Sequence, residues 1–134
     1  MNLPLLLKLL GVAFVLVGLG HVALGPGADM LLGANLSETS RLDPVLDSQN
    51  RFYGAAFTLY GVLLYYCSND LARFLPILQI VFVVFFLSGV ARLVSIAVVG
   101  WPSGLVMVLL VIEFVLPPVM YIVCNRHIER GHQS

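Results

Sequence analysis

The chain has 134 residues, of which 60% are hydrophobic and only 10% charged, and its seven basic and seven acidic side chains leave a formal net charge of zero. A soluble domain of this size carries about a quarter charged residues, so the composition is that of an integral membrane protein. With no basic excess there is no electrostatic footprint for nucleic acid, and the partners to expect are membrane lipids.

Leu3 to Leu24 is apolar apart from Lys8 and His21. About 22 residues at 1.5 Å each reach roughly 33 Å, enough to cross a bilayer's hydrocarbon core. A basic residue inside the run, and no A-x-A cleavage site after it, read as a retained first helix rather than a secretory signal. Gly11, Phe14, Gly18 and His21 recur at helical spacing on one face, and the two glycines allow close approach of a neighbouring helix. His21 therefore points inward. Lys8 lies near the other end, where its long stem reaches the headgroups, and no chemistry is assigned to it.

Gly25 to Asp43 is the long polar connection. Its apolar patch, Met30-Leu31-Leu32, is expected to lie along the membrane surface as one or two helical turns, either as a cap or lid over the helices or simply as a linker.

Asp43 is a good N-cap and Pro44 suits the first helical position, so the second helix runs from Pro44 to about Cys67. Its stripe of Gly54, Ala55, Thr58, Gly61 and Val62 is rich in small residues and predicts packing against a partner helix. Arg51, roughly 10 Å into the helix, has two readings. It shares this inward face, or it pairs with Asp47 four residues earlier on the same helix.

Ser68-Asn69-Asp70 forms a tight turn that caps the third helix, Leu71 to about Val99. At roughly 43 Å this helix is longer than the membrane is thick and must tilt, protrude or bend at Pro76. Ser88, Gly89, Arg92 and Ser95 lie toward its inward face, and an arginine so deep in an apolar segment faces protein or water.

Gly100-Trp101-Pro102-Ser103 turns the chain into a fourth helix over 104–125, with Trp101 as an interfacial aromatic and Ser103 as N-cap. So short a turn makes the third and fourth helices antiparallel neighbours. Arg92 is eight residues before Gly100 and Glu113 nine after Gly104, so both lie about 12 to 13 Å from the same turn. An arginine and a glutamate level with each other in low dielectric are expected to pair. Pro117 and Pro118 lack amide hydrogens, which leaves the carbonyls of Glu113 and Phe114 without helical donors. The tail, Asn125 to Ser134, is polar and basic. Cys67 and Cys124 show neither metal-ligand nor redox spacing, and no metal or cofactor is assigned.

The expected fold is all-α, a single integral membrane domain over 1–134 in which four spanning helices form a bundle with a short interfacial segment between the first two. Lys8, Arg73, Arg126 and Arg130 collect on one side, which places both termini in the cytoplasm by the positive-inside rule. His21, Arg51, Arg92 and Glu113 come from all four helices and fall in the outer half of the membrane, and they form the candidate ligand-binding site. Two arginines against one glutamate leave a surplus positive charge, which suits an anionic or electron-rich guest.

Arg51-Phe52-Tyr53-Gly54 at the head of the second helix, Gly89-Val90-Ala91-Arg92-Leu93-Val94-Ser95 followed by Gly100 and Pro102, and Glu113 ahead of Pro117-Pro118 carry a family likeness. Together they resemble a bacterial domain-of-unknown-function branch of the DoxX-like small four-helix membrane proteins, over nearly the whole chain. The resemblance implies a four-helix bundle in the bacterial inner membrane with its functional residues at Arg51, Arg92 and Glu113. Relatives in that broad group resemble quinone-linked respiratory subunits, assembly chaperones and cargo receptors.

Three functions fit these residues. The first is a binding module that holds a lipid headgroup, a quinone or another amphipathic molecule through Arg51 and Arg92, with Glu113 keeping the arginines in place. The second is a scaffold or assembly factor in which the polar residues join helices. The third is a membrane enzyme or proton-coupled carrier with Glu113 and His21 as acid and base. No nucleophile, metal-ligand set or nucleotide loop accompanies them, so no catalytic residue is assigned.

Overall fold

The structure, a computed structural model, describes residues 2–131, and no strand occurs among the described residues. Its elements are α1 (Leu3–Leu24), α2 (Pro26–Leu31), α3 (Glu38–Arg41), α4 (Pro44–Cys67), α5 (Leu71–Val99) and α6 (Gly104–Gly131). The connection between α1 and α4 contains two short helices: α2 takes in Met30 and Leu31 of the expected patch, with Leu31 78% exposed, and α3 lies beyond it. The last helix does not stop at Asn125. No glycine or proline interrupts the chain between Val119 and Arg130, so the helix continues into the polar tail. Residues 132–134, the end of that tail, lie outside the described residues.

Local chemistry sets the helix starts. Asp43 Oδ1 accepts from the amides of Val45 at 2.8 Å and Leu46 at 3.0 Å, and Asp70 Oδ1 accepts from Arg73 at 3.1 Å. Ser103 departs from its expected role: its hydroxyl is buried with no hydrogen-bond partner among the described residues, and its main-chain carbonyl engages α6, accepting from Met107 at 3.2 Å. Gly100 closes α5 by donating to the Ile96 carbonyl at 3.0 Å, with a φ of +114° that a residue bearing a Cβ adopts only with strain.

Three helices are long and apolar enough to cross a membrane: Leu3–Leu24, Leu71–Val99 and Gly104–Ile128. The expectation of four is thus met in three. α4 is long enough, but Asp47, Ser48, Gln49, Asn50 and Arg51 occupy its first turns, and the remainder of the helix, residues 52–67, covers only about 24 Å.

The chain divides into two compact units, one of residues 6–66 and the other of residues 1–5 with 67–134. In the first, α1 and α4 meet backbone to backbone through glycines. A Cβ on Gly11 would stand 2.7 Å from the Gly61 carbonyl, and a Cβ on Gly54 2.7 Å from the Gly18 carbonyl, closer than side chains tolerate. Phe14, between the two glycines of α1, stacks on Phe57 at a centroid distance of 5.7 Å and leans on Tyr60 at 5.5 Å. Gly11, Phe14, Gly18 and His21 therefore share a face against α4, as their spacing predicts. On α4 the contact set is Gly54, Phe57, Thr58 and Gly61, whereas Ala55 and Val62 are exposed, because one residue turns a helix by about 100°. Lys8 Nζ rests over the Tyr65 ring, 5.6 Å from its centre.

In the second unit α5 and α6 pack side by side. Buried positions recur at three- and four-residue spacing on both, Leu78, Phe82, Phe85 and Gly89 on α5 and Leu110, Glu113, Pro117, Met120 and Cys124 on α6. Phe86 meets the Phe114 ring edge-on at 5.0 Å. Gln79 Nε2 donates to Asn125 Oδ1 at 3.0 Å, toward the end away from the Trp101 turn. Glu113 thus occupies a place in the stripe that its pattern otherwise gives to Leu, Pro, Met or Cys.

Candidate functional site

Gly89 makes room for the carboxylate. A Cβ there would lie 3.2 Å from Glu113 Cβ and 3.2 Å from the Phe114 ring, so its absence lets α6 bring Glu113 close to α5. One turn farther along, Arg92 Nε donates to both carboxylate oxygens, at 2.9 Å to Oε1 and 2.8 Å to Oε2. The Glu113 side chain is 3% exposed and that of Arg92 33%. The pair expected from equal depth is present, in an unusual form. Arginine commonly grips a carboxylate with two parallel N–H groups, whereas here one N–H serves both oxygens. Nη1 and Nη2, which carry four of the guanidinium's five hydrogens, have no acceptor among the described residues. A guanidinium so held has a free two-nitrogen fork, able to bind a phosphate, carboxylate or carbonyl oxygen.

Arg51 is arranged differently. Nε and Nη2 grip Asp47 in the two-point manner, at 2.8 Å to Oδ2 and 3.1 Å to Oδ1. Nη1 donates to the carbonyls of Val22 at 2.6 Å and Ala23 at 3.1 Å, acceptors that the end of α1 leaves without helical donors. Of the two readings of Arg51 the structure takes the pair with Asp47 and adds a cap on α1, and the side chain is 44% exposed. Gly25 sits directly beneath, with a φ of +54°, where a Cβ would collide with Asp47 Oδ1. This glycine is required both by the turn and by the carboxylate.

His21, one turn from the end of α1, has its Nδ1 2.9 Å from the Val17 carbonyl, which can only accept, so Nδ1 carries hydrogen. Its Nε2 is 3.4 Å from Asp29 Oδ1, and Asp29 Oδ2 accepts from the buried Asn50 amide at 2.6 Å. Asp29 thereby fastens α2 to α4 through Asn50, and to α1 when His21 carries hydrogen on both ring nitrogens.

The structure therefore brings His21 and Arg51 to one end of the α1–α4 unit, and Arg92 and Glu113 together in the α5–α6 unit. It also removes the surplus positive charge expected from the sequence. Asp47 pairs with Arg51 and Asp29 faces His21, so each basic group has its own carboxylate. Asp29 and Asn50 were not read from the sequence. Asp29 was visible as an acid soon after a helix-starting proline, but its partners 8 and 21 residues away follow no helical spacing. Among the described residues no group of three or more His, Cys, Asp or Glu side chains is placed to hold a metal ion.

The family model described as Domain of unknown function (DUF4345) matches residues 3–124. The chain belongs to that family. The match includes Arg51, Arg92, Glu113, His21, Asp29, Asp47 and Asn50, so both polar clusters of this DUF4345 member lie inside the family's domain. No curated protein and no solved structure matches the chain.

Proposed function

We propose that this DUF4345 protein is a binding module of the bacterial inner membrane, a DoxX-like four-helix bundle with both termini in the cytoplasm, that holds an amphipathic molecule by its polar head on Arg92. The observation that carries the reading is the grip of Glu113 on Nε alone, which steadies the guanidinium and leaves Nη1 and Nη2 without acceptors among the described residues. An unengaged arginine fork within an apolar span is costly, and a bound acceptor removes that cost. Glu113 acts as a positioning residue. The head is a lipid phosphate or a quinone carbonyl, since the ion pair is neutral and does not by itself demand an anion.

The α4 helix is read as the fourth span, with its polar first turns in the headgroup region where water reaches them. His21 and Arg51 serve the outer end by holding the Gly25 to Asp43 segment through Asp29 and Asp47. Arg73 and Arg126, at the ends of α5 and α6 away from the Trp101 turn, support the cytoplasmic placement of the C-terminus. A cysteine introduced at Ser40 should react with impermeant thiol reagents in intact cells, and one at Ser134 should not.

The experiment for the site is gentle extraction followed by native mass spectrometry. Wild type should retain a lipid or quinone that Arg92→Gln loses and Lys8→Gln keeps. Equal retention by Arg92→Gln would favour a scaffold role, in which the polar residues only join helices.

A further inference from the structure

We infer that an anionic headgroup bound on Arg92 brings a proton with it, taken up by Glu113, so that the site binds a monoanionic amphiphile together with one proton. The inference rests on the reading that Arg92 holds a ligand's head, and it assigns the ligand's charge class and the control of its binding.

Arg92 and Glu113 together are neutral, and within the α5–α6 unit no other charged side chain is bonded to either of them among the described residues. A monoanion placed on Nη1 and Nη2 would bring the site to a net charge of minus one, beside a buried carboxylate in the body of two apolar helices, where an uncompensated charge is expensive. Loss of a proton from the guanidinium would make this worse, and arginine does not lose it in proteins. The carboxylate is the group able to respond. It is 3% exposed, and both its oxygens rely on the single Nε–H, although a carboxylate offers about four acceptor positions. Few interactions are therefore given up when one oxygen takes a proton.

The balance is simple. The guanidinium cation, the Glu113 carboxylate, the anion and one proton from water give a guanidinium–anion pair beside a neutral Glu113 carboxylic acid. One O–H bond forms on Oε1 or Oε2, and no covalent bond breaks. A neutral head that offers a carbonyl oxygen binds the same fork without any proton.

Linkage makes this measurable, because a ligand that carries one proton loses up to about tenfold in affinity for each unit of pH. The probe is short-chain phosphatidylglycerol, whose phosphodiester stays singly charged across neutral pH, titrated into the full chain in nonionic detergent between about pH 6 and about pH 9. A decyl benzoquinone serves as the neutral comparison. The dissociation constant for phosphatidylglycerol should rise with pH in wild type, and in Glu113→Gln it should stay at its low-pH value throughout. Binding of the quinone should not depend on pH in either protein. In weakly buffered solution, wild type should also take up one proton per bound phosphatidylglycerol, a measurement that stands even if Glu113→Gln fails to fold. Arg92-dependent binding with no proton uptake, or a pH dependence that persists in Glu113→Gln, overturns the inference and leaves the binding function standing. Binding of neither probe, or binding unchanged in Arg92→Gln, overturns the binding function itself.

Discussion

Arg51 stands near the start of α4 and Arg92 in the body of α5, and the two positions lead the same side chain to opposite uses. Near a helix start Arg51 finds an acid one turn back on its own helix and the orphan carbonyls of α1 within reach, so four of its N–H groups are engaged. In mid-helix Arg92 has no acid on its own helix and donates to no main-chain carbonyl among the described residues, and the acid it meets is Glu113 on α6. An arginine in an apolar chain is therefore better judged by what its Nη atoms meet than by its depth.

Removing each guanidinium in turn separates the two cases most clearly. Arg92→Leu leaves Glu113 buried without its donor and should cost about 3 to 5 kcal/mol in thermal unfolding in detergent. Glu113→Gln, which keeps shape and an acceptor for Nε, should cost less, about 1 to 3 kcal/mol. If Arg51→Leu proved as damaging as Arg92→Leu, the distinction between the two clusters would fail.

A comparable loss should result from changes at the α1–α4 seam. Gly54→Leu forces a side chain against the Gly18 carbonyl and should destabilise by about 1 to 3 kcal/mol, whereas Gly20→Ala, which meets nothing within 4 Å, should be neutral in the same melt. Asp29→Ala strips the buried Asn50 amide of its acceptor, at about 1 to 3 kcal/mol, and frees α2 from α4. Proteolytic cleavage in the segment of residues 32–37 should speed up accordingly, and an unchanged rate would show that the Asp29 contacts do not hold it. The smallest effect is expected from Arg51→Gln. It should shift the melting temperature only slightly, since its pair with Asp47 is solvent-exposed, and it should leave a ligand held by Arg92 in place. A loss of ligand in that variant would bring Arg51 into the binding site.

The starts of α4 and α5 were readable because they depend on neighbours in the chain. Asp43, Pro44 and Asp70 act on amides two or three residues away, and the apolar runs are bounded by the polar residues beside them. The Arg92–Glu113 pair was readable too, although 21 residues separate them, because a tight turn makes equal distances along two helices into equal depths. A stripe of small residues gives the face of a helix only to within about one residue, or 100°, so Ala55 and Val62 fall beside the contact face of α4 and not on it.

Periodicity, length and charge in low dielectric are properties of the sequence alone, and they were enough to specify an all-α membrane chain, its long helices and the level of its buried ion pair. Tertiary structure decided the rest. Which side chain reaches the last carbonyls of a helix has no signature in a sequence, so the cap that Arg51 places on α1 could not be seen there, nor could the reach of Asp29 from α2 to His21 and Asn50. The rotamer of Arg92 is likewise a product of packing. It determines that Glu113 takes Nε and that the two terminal nitrogens remain without acceptors among the described residues.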